Sequence, residues 1–329
     1  MTALQHGPCK LLLMGAGASN LHIANTLARN KNLNLDITCI ASDDQVLHPS
    51  MLAGLVAGRH HFSDCCLPFQ DLFERCQVQW IQSKVQAISA ANKSIQLEDG
   101  STHDFDLLSI NTTPLQHLEN IERQLPGAKK YGFFVYPMHL FADQWAQVCA
   151  EGYQRALRIA IIGSGLRSME LALAVRQRLP SAAVTLVASQ AAAPSGAALR
   201  LQRALKEQRI TMLNDSALSC SATHVQLGCG AMLACDVPII ALEPQAPSWL
   251  TEPHAHIFYH SVASLNDCAG LYAAVGEAQA GRNTAKSPLH MFYAGSSHAV
   301  AQWGEHSAQG RAVGWLKDWR DRRAFRFLA

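Results

Sequence analysis

The sequence is poor in charge: Asp, Glu, Lys and Arg make up 16% of its 329 residues, and Lys+Arg 27 against Asp+Glu 25 leaves a formal net charge of +2. No global field draws this chain to nucleic acid, so no nucleic-acid partner is expected. Long apolar runs are missing too. Nothing approaches the roughly 18 uninterrupted apolar residues of a membrane-spanning helix, and Leu11 to Met14 is too short for the core of a secretory signal. A cytoplasmic protein is expected. The cysteines at 9, 39, 65, 66, 76, 149, 220, 229, 235 and 268 form neither paired Cys-x-x-Cys repeats nor a dense disulfide framework. Several, such as Cys39 within Leu35 to Ile40, sit in apolar runs where a reduced thiol packs as a small hydrophobe. Low-complexity segments are lacking, and 49% hydrophobic residues supply two cores.

Against this background two segments stand out. Lys10-Leu11-Leu12-Leu13-Met14 runs into Gly15-Ala16-Gly17-Ala18-Ser19-Asn20, and Arg158-Ile159-Ala160-Ile161-Ile162 runs into Gly163-Ser164-Gly165-Leu166-Arg167-Ser168. In each, an apolar strand stops at a Gly-x-Gly turn and a helix-like pattern follows. Glycine lets the backbone turn tightly enough to bring a pyrophosphate against the amides of the next helix N-terminus. Two such turns on one chain suggest two dinucleotide-binding units, one for a flavin and one for a nicotinamide.

Each turn leads into a strand–turn–helix–strand order, with second strands over Leu35 to Ile40 and Ala183 to Val187. That order predicts parallel, doubly wound sheets. Further strands are expected at Ile95 to Leu97, Phe105 to Ile110, Ile239 to Leu242 and Leu289 to Gly295, with helices over His139 to Ala150 and from about Gly304. The expected fold class is α/β, two Rossmann-like domains with the second inserted in the first. The first takes residues 1–120 and 265–329, and the second takes 121–264.

Taken together, the Gly15 turn, His48-Pro49-Ser50-Met51-Leu52-Ala53-Gly54-Leu55-Val56-Ala57-Gly58, Asp106 to Ile110, Gly163 to Ala172, and Phe292-Tyr293-Ala294-Gly295 followed by Ala308-Gln309-Gly310 resemble the two-dinucleotide-binding-domain flavoproteins. The nearest likenesses are the type II NADH dehydrogenases and the flavin domain fused to selenide, water dikinase. The resemblance implies FAD pyrophosphate on Gly15, Gly17, Ala18, Ser19 and Asn20, with Val85 meeting the adenine and Gly295 to Ser297 (Ser296 included) near the ribityl chain. Ser42 and Asp43 stand near the position of the family's ribose-binding acid, and Thr112 lies in its crossover. Gln309 belongs to a helix aimed at the flavin pyrimidine. NAD(P)H, the possible co-substrate, would use Gly163, Ser164, Gly165, Arg167, Ser168 and Glu170. The sequence departs from the family in Asn111-Thr112-Thr113 and Ala241-Leu242-Glu243, both lacking glycine, in Ser296 where an acid is usual, and in Ala188-Ser189-Gln190, which carries neither a carboxylate nor an arginine.

Several candidates have a plainer reading. Glu170 serves either the nicotinamide end or the first helical turn through the macrodipole. Cys65-Cys66 has the wrong spacing for the family's disulfide reductases and reads as packing. His254, His256 and His260, like His60-His61, fit no zinc pattern, so no metal is expected. His48 is a loop histidine that should face the isoalloxazine or be a surface group. The tail from Trp315 to Leu328 mixes aromatics with arginines, either as a covering helix or as a peripheral contact with the inner face of a membrane. The expected activity is an FAD-dependent NAD(P)H oxidoreductase passing hydride to flavin and on to a quinone or another small acceptor, with no catalytic side chain assigned. The alternative is a non-catalytic nucleotide-binding sensor or partner-binding protein.

Overall fold

Leu11, Leu12, Leu13 and Met14 are all buried because the strand they form is covered on both faces. The computed structural model describes residues 7–28, 33–47, 49–111, 118–136, 138–189, 195–242, 255–260, 269–275 and 289–328. Leu11 and Leu13 join a core with Leu21, Ile23 and Leu27, whereas Leu12 and Met14 join Ile95, Leu97 and Phe105 on the opposite side. Each fully buried side chain of this size contributes about 1.5–3 kcal/mol.

In the first unit, β1 (Cys9–Met14), α1 (Ala18–Ala28), β2 (Leu35–Ala41), α2 (Leu52–Val56) and β3 (Gln79–Gln82) precede an antiparallel meander. The meander is β4 (Val85–Ser89), β5 (Ser94–Leu97) and β6 (Thr102–Asp104), and β7 (Leu107–Ile110) re-enters the sheet. The second unit begins with β8 (Phe133–Phe134) and α3 (Met138–Gln154). It continues through β9 (Arg158–Ile162), α4 (Gly165–Arg178), β10 (Ala183–Val187), α5 (Gly196–Glu207) and β11 (Thr211–Leu213). A second meander, β12 (Ala217–Cys220), β13 (His224–Leu227) and β14 (Met232–Ala234), leads to β15 (Val237–Ile240). Last come β16 (Ile257–Tyr259), a third meander of β17 (His290–Tyr293), β18 (Ala299–Trp303) and β19 (His306–Gly310), and α6 (Arg311–Leu328).

The two parallel sheets have corresponding orders, β16-β7-β1-β2-β3 and β8-β15-β9-β10-β11. The repeat thus extends past the strand–helix–strand unit to the meander and the strand after it. Even a small device is duplicated. Asp106 accepts the amide of Lys10 and returns its own amide to the Lys10 carbonyl, and Asp236 does the same with Arg158. In both units the aspartate fixes where the strand after the meander joins the first.

The boundary at 264/265 is corrected: β16 lies within 121–264 yet pairs with β7, Ile257 opposite Leu108 and Tyr259 opposite Ile110. The chain is back in the first sheet by Ile257. Residues 289–295 take the place expected of a returning strand in sequence, but β17 pairs antiparallel with β18 in a separate meander. That meander covers α4 and α5, and Phe292, Tyr293 and Val300 share one core with Met51 and Val56 of the first unit and Met169 and Ala172 of the second. The two units are therefore packed around common apolar residues. The middle of α4, Ser168 to Val175, is buried on all sides for this reason.

Candidate functional site

At the end of β1, Gly15 takes φ +86°, a left-handed conformation that glycine adopts without a Cβ penalty, and its amide bonds Ile40 O at 2.7 Å. Gly17 follows with no room for a side chain. A Cβ there would stand 2.0 Å from Asn111 Oδ1 and 2.7 Å from Asn111 O. Asn20 Nδ2 donates to Met14 O (3.1 Å) and Gly15 O (2.7 Å), and Ser109 Oγ donates to Asn20 Oδ1 at 2.6 Å. The Asn20 side chain thus builds the turn from beneath. Asn111 is the residue that sequence reading missed here. Its Oδ1 accepts the Ser19 amide at 3.1 Å, and its Nδ2 donates to His260 O at 2.9 Å. The sequence registered this position as a crossover lacking glycine; the signal was a polar residue directly after an apolar strand.

The first turn therefore has the left-handed glycine that a phosphate contact needs, with the Asn111 carboxamide against the face of Gly17 and on one helix amide. Of the other expected FAD contacts, Ser42 follows β2 and its carbonyl accepts Gln82 Nε2 at 3.2 Å, while Asp43 is exposed. Val85 opens β4 opposite Leu97. Thr112, His48 and His254 lie outside the described residues.

The second turn differs in detail: its left-handed glycine is the second, Gly165, where the first turn has Gly15. Gly163 donates to Val187 O at 3.0 Å, and a Cβ on it would meet Ala241 O at 2.4 Å and Ser168 Oγ at 2.7 Å. Gly165 takes φ +88°. Ser164 precedes α4 in extended conformation without capping it, and Ser168 Oγ donates to Ser164 O at 3.0 Å. Arg167 is part-exposed on the first turn of α4. Of the two cradles, the second has no side chain capping its helix.

Glu170 lies beyond the first turn of α4, so the macrodipole reading does not hold. Buried on α4, it faces the third meander, where its Oε1 accepts the Tyr293 amide at 2.7 Å and lies 3.9 Å from Lys317 Nζ. Lys317 Nζ donates to Asp321 Oδ2 at 2.8 Å and Ser50 O at 3.1 Å. The Tyr293 ring lies 4.3 Å from both the Arg59 guanidinium and Lys317 Nζ, and its hydroxyl donates to Asp318. Burial pushes the Glu170 carboxyl above the ordinary glutamate range, opposed by Lys317 and the Tyr293 amide. Burial, aided by the Asp318 bond, likewise raises Tyr293. The Lys317–Asp321 spacing of four on one helix was the readable signal; its partners were not.

The helix expected from about Gly304 is corrected, and the residues around it take the following places. Gly295 and Ser296 form the turn between β17 and β18, where Gly295 O accepts from Arg59 and a Cβ on Gly295 (φ +128°) would meet Gln208 Nε2 at 2.7 Å. The outer position beside β7 belongs to β16. Gln309 is exposed on β19, and α6 starts at Arg311 instead of Gly304, because residues 299–310 pair as an antiparallel hairpin. Cys65 and Cys66 are buried free thiols that burial pushes up to about 12 and about 11, which fits packing and not a thiol relay. The His60 ring lies against Gly54, and the His61 amide donates to Asp64 at 3.2 Å.

No protein-family model matches the chain, and no curated protein matches it in sequence. Solved structures do. The sulfide:quinone oxidoreductase of Aquifex aeolicus superposes with a TM-score of 0.74 at 14% identity, covering 96% of this chain and 92% of that one. NDH2 of Plasmodium falciparum, solved with NADH, gives 0.70 at 11% identity over 97% of each chain. Putidaredoxin reductase, in its covalent complex with putidaredoxin, gives 0.67 at 15% identity over 91% of this chain and 82% of that one. The chain has the two-dinucleotide-binding-domain fold of the pyridine nucleotide-disulfide oxidoreductase-like flavoproteins.

Proposed function

We propose that this protein is an FAD-dependent oxidoreductase that takes hydride from NADH or NADPH and delivers electrons to a quinone or another small acceptor. The observation that carries this reading is the pair of glycine turns, each at the end of the central strand of a parallel sheet of corresponding order. Gly15, Gly17, Ala18 and Ser19 would hold the FAD pyrophosphate, and Gly163, Ser164, Gly165 and Arg167 that of the pyridine nucleotide. FAD, when bound, supplies the hydride-accepting ring and an outlet for electrons. The chain contributes positioning and exclusion of water, for which the shared core, the Glu170–Tyr293 bond and the Lys317–Glu170 ion pair fix one unit against the other.

The quinone reading draws support from α6. Trp315 is 69% exposed and Trp319 45%, next to Arg320, Arg322 and Arg323. That mixture suits peripheral contact with an anionic membrane face from the cytoplasmic side, where a quinone is reached. Among the described residues no helix is long and apolar enough to cross a membrane. Co-sedimentation with vesicles containing anionic lipid, abolished in a Trp315→Ala/Trp319→Ala variant, tests it.

A second reading, a nucleotide-binding sensor without turnover, is favoured by one specific observation, the Asn111 carboxamide on the Ser19 amide. Spectroscopy separates the two. Protein incubated with FAD and freed of excess should be yellow, and anaerobic NADH or NADPH should bleach it. A yellow protein indifferent to both nucleotides selects the sensor, and one that cannot take up FAD overturns the flavoenzyme.

A further inference from the structure

Asn111 and Ala241 occupy the same place in the two units. Asn111 follows β7, whose Ile110 stands opposite Met14, and donates its amide to Met14 O at 2.9 Å. Ala241 follows β15, whose Ile240 stands opposite Ile162, and donates its amide to Ile162 O at 2.8 Å. Both carbonyls press against a turn glycine, Asn111 O on Gly17 and Ala241 O on Gly163. The strand ends correspond, but the carbonyl meets the second glycine of the first turn and the first glycine of the second, and the side chains differ. Alanine ends at Cβ, whereas the Asn111 carboxamide reaches the bare face of Gly17 and takes the Ser19 amide.

We propose that Asn111 is an internal stand-in for a dinucleotide phosphate, sets how tightly the first cradle binds its cofactor, and must swing away from Ser19 for FAD to seat. This rests on the reading that the first turn is the flavin site. All four polar atoms of Asn111 are engaged: N with Met14 O, O with Gly17 N, Oδ1 with Ser19 N and Nδ2 with His260 O. The residue is 2% exposed, so its carboxamide is held in place. A helix-start amide N–H that donates to a neutral carboxamide oxygen prefers an anionic phosphate oxygen, because a charged acceptor forms the stronger bond and gains from the helix dipole. The phosphate can therefore displace the carboxamide, at the cost of the cap and of the bond to His260. The second cradle, with Ala241, carries no such contest.

Two substitutions made in opposite directions test this by binding alone, with flavin fluorescence quenching and NADH fluorescence as readouts. Asn111→Ala should bind FAD roughly five- to tenfold more tightly, the equilibrium worth of one neutral hydrogen bond. The same variant without FAD should melt lower by a few degrees, having lost a helix cap. Tighter binding with lower apo stability is the signature, since a residue that simply supports the fold would lower both. Asn111→Ser, too short to reach the Ser19 amide, gives the same reading if the alanine variant does not fold. Ala241→Asn should weaken NADH binding while FAD binding is unchanged. Unchanged or weaker FAD binding in Asn111→Ala and Asn111→Ser overturns the proposal. If the wild-type chain and the Asn111 variants alike fail to quench flavin fluorescence, the flavin reading itself has failed and this inference falls with it.

Discussion

The buried carboxylate of Glu170 accepts the backbone N–H of Tyr293 at 2.7 Å, joining two residues 123 positions apart. Lys317 lies on the same carboxylate and on the face of the same tyrosine ring. Glu170→Ala would leave a buried amide and a buried ammonium short of an acceptor, so a loss of about 2–4 kcal/mol in urea unfolding is expected. Glu170→Gln keeps an acceptor and should lose less. The pH dependence has a definite sign. The folded carboxyl sits above its ordinary value of 4.5, so its contribution is fully present below that value and declines as pH rises through the folded pKa. The stability gap between wild type and Glu170→Gln should narrow from acid to neutral pH. A gap independent of pH would show that burial does not govern this group.

Asp236 behaves in the opposite way. Its bonds to the Arg158 side chain and amide hold its carboxyl down to about 2. The stability it confers is present above the ordinary aspartate value of 3.8 and is lost as pH falls toward about 2. Arg158 is half exposed, so solvent screens the pair, and Asp236→Asn should cost only about 1 kcal/mol at neutral pH. Unfolding measured between neutral pH and pH 3 should show the variant and wild type converging on the acid side.

Most of the parallel framework was legible in the sequence, and the reasons are local. Leu11 to Met14 and Ile159 to Ile162 announce two-sided burial by being continuously apolar, and Gly15, Gly17, Gly163 and Gly165 mark turns that other residues cannot make. The misreadings came from pairing over long distances. Phe292-Tyr293-Ala294-Gly295 has the composition of a returning parallel strand, but composition does not say which neighbour supplies the hydrogen bonds, and Ala299–Trp303 supplies them. Ile257–Tyr259, at three residues, is too short to show a periodicity. Asn111 showed only as a departure from a motif, since its partners Ser19 and His260 lie far from it in sequence.

The turn glycines make a prediction that separates backbone from side-chain crowding. Gly17→Ala places its Cβ against Asn111 Oδ1 at 2.0 Å and against Asn111 O at 2.7 Å. The first obstacle is a side chain and the second is backbone, so the Asn111→Ala/Gly17→Ala double variant should recover little of the stability that Gly17→Ala loses. Both should fail to retain FAD on gel filtration. Gly163→Ala meets the Ala241 carbonyl at 2.4 Å and should abolish the response to NADH while leaving bound flavin in place. Recovery in the double variant would mean that the side chain alone enforces glycine at position 17.

The paired thiols supply the last test, because proximity and reactivity point in different directions at Cys65 and Cys66. Adjacent cysteines invite a redox reading, yet nucleophilic attack requires the thiolate. Burial raises Cys65 to about 12 and Cys66 to about 11, so at neutral pH on the order of one thiol in ten thousand or fewer is ionised. Cys229 is the exposed one among the described cysteines. Brief treatment of the native protein with iodoacetamide, followed by peptide mass spectrometry, should therefore label Cys229 and spare Cys65 and Cys66. A Cys65→Ser/Cys66→Ser variant should keep wild-type rates of flavin reduction by NAD(P)H and reoxidation by an acceptor, at some cost in stability from placing hydroxyls in an apolar core. Loss of reoxidation with flavin reduction intact would instead make the pair part of the electron path, and would require the thiols to open to solvent during turnover.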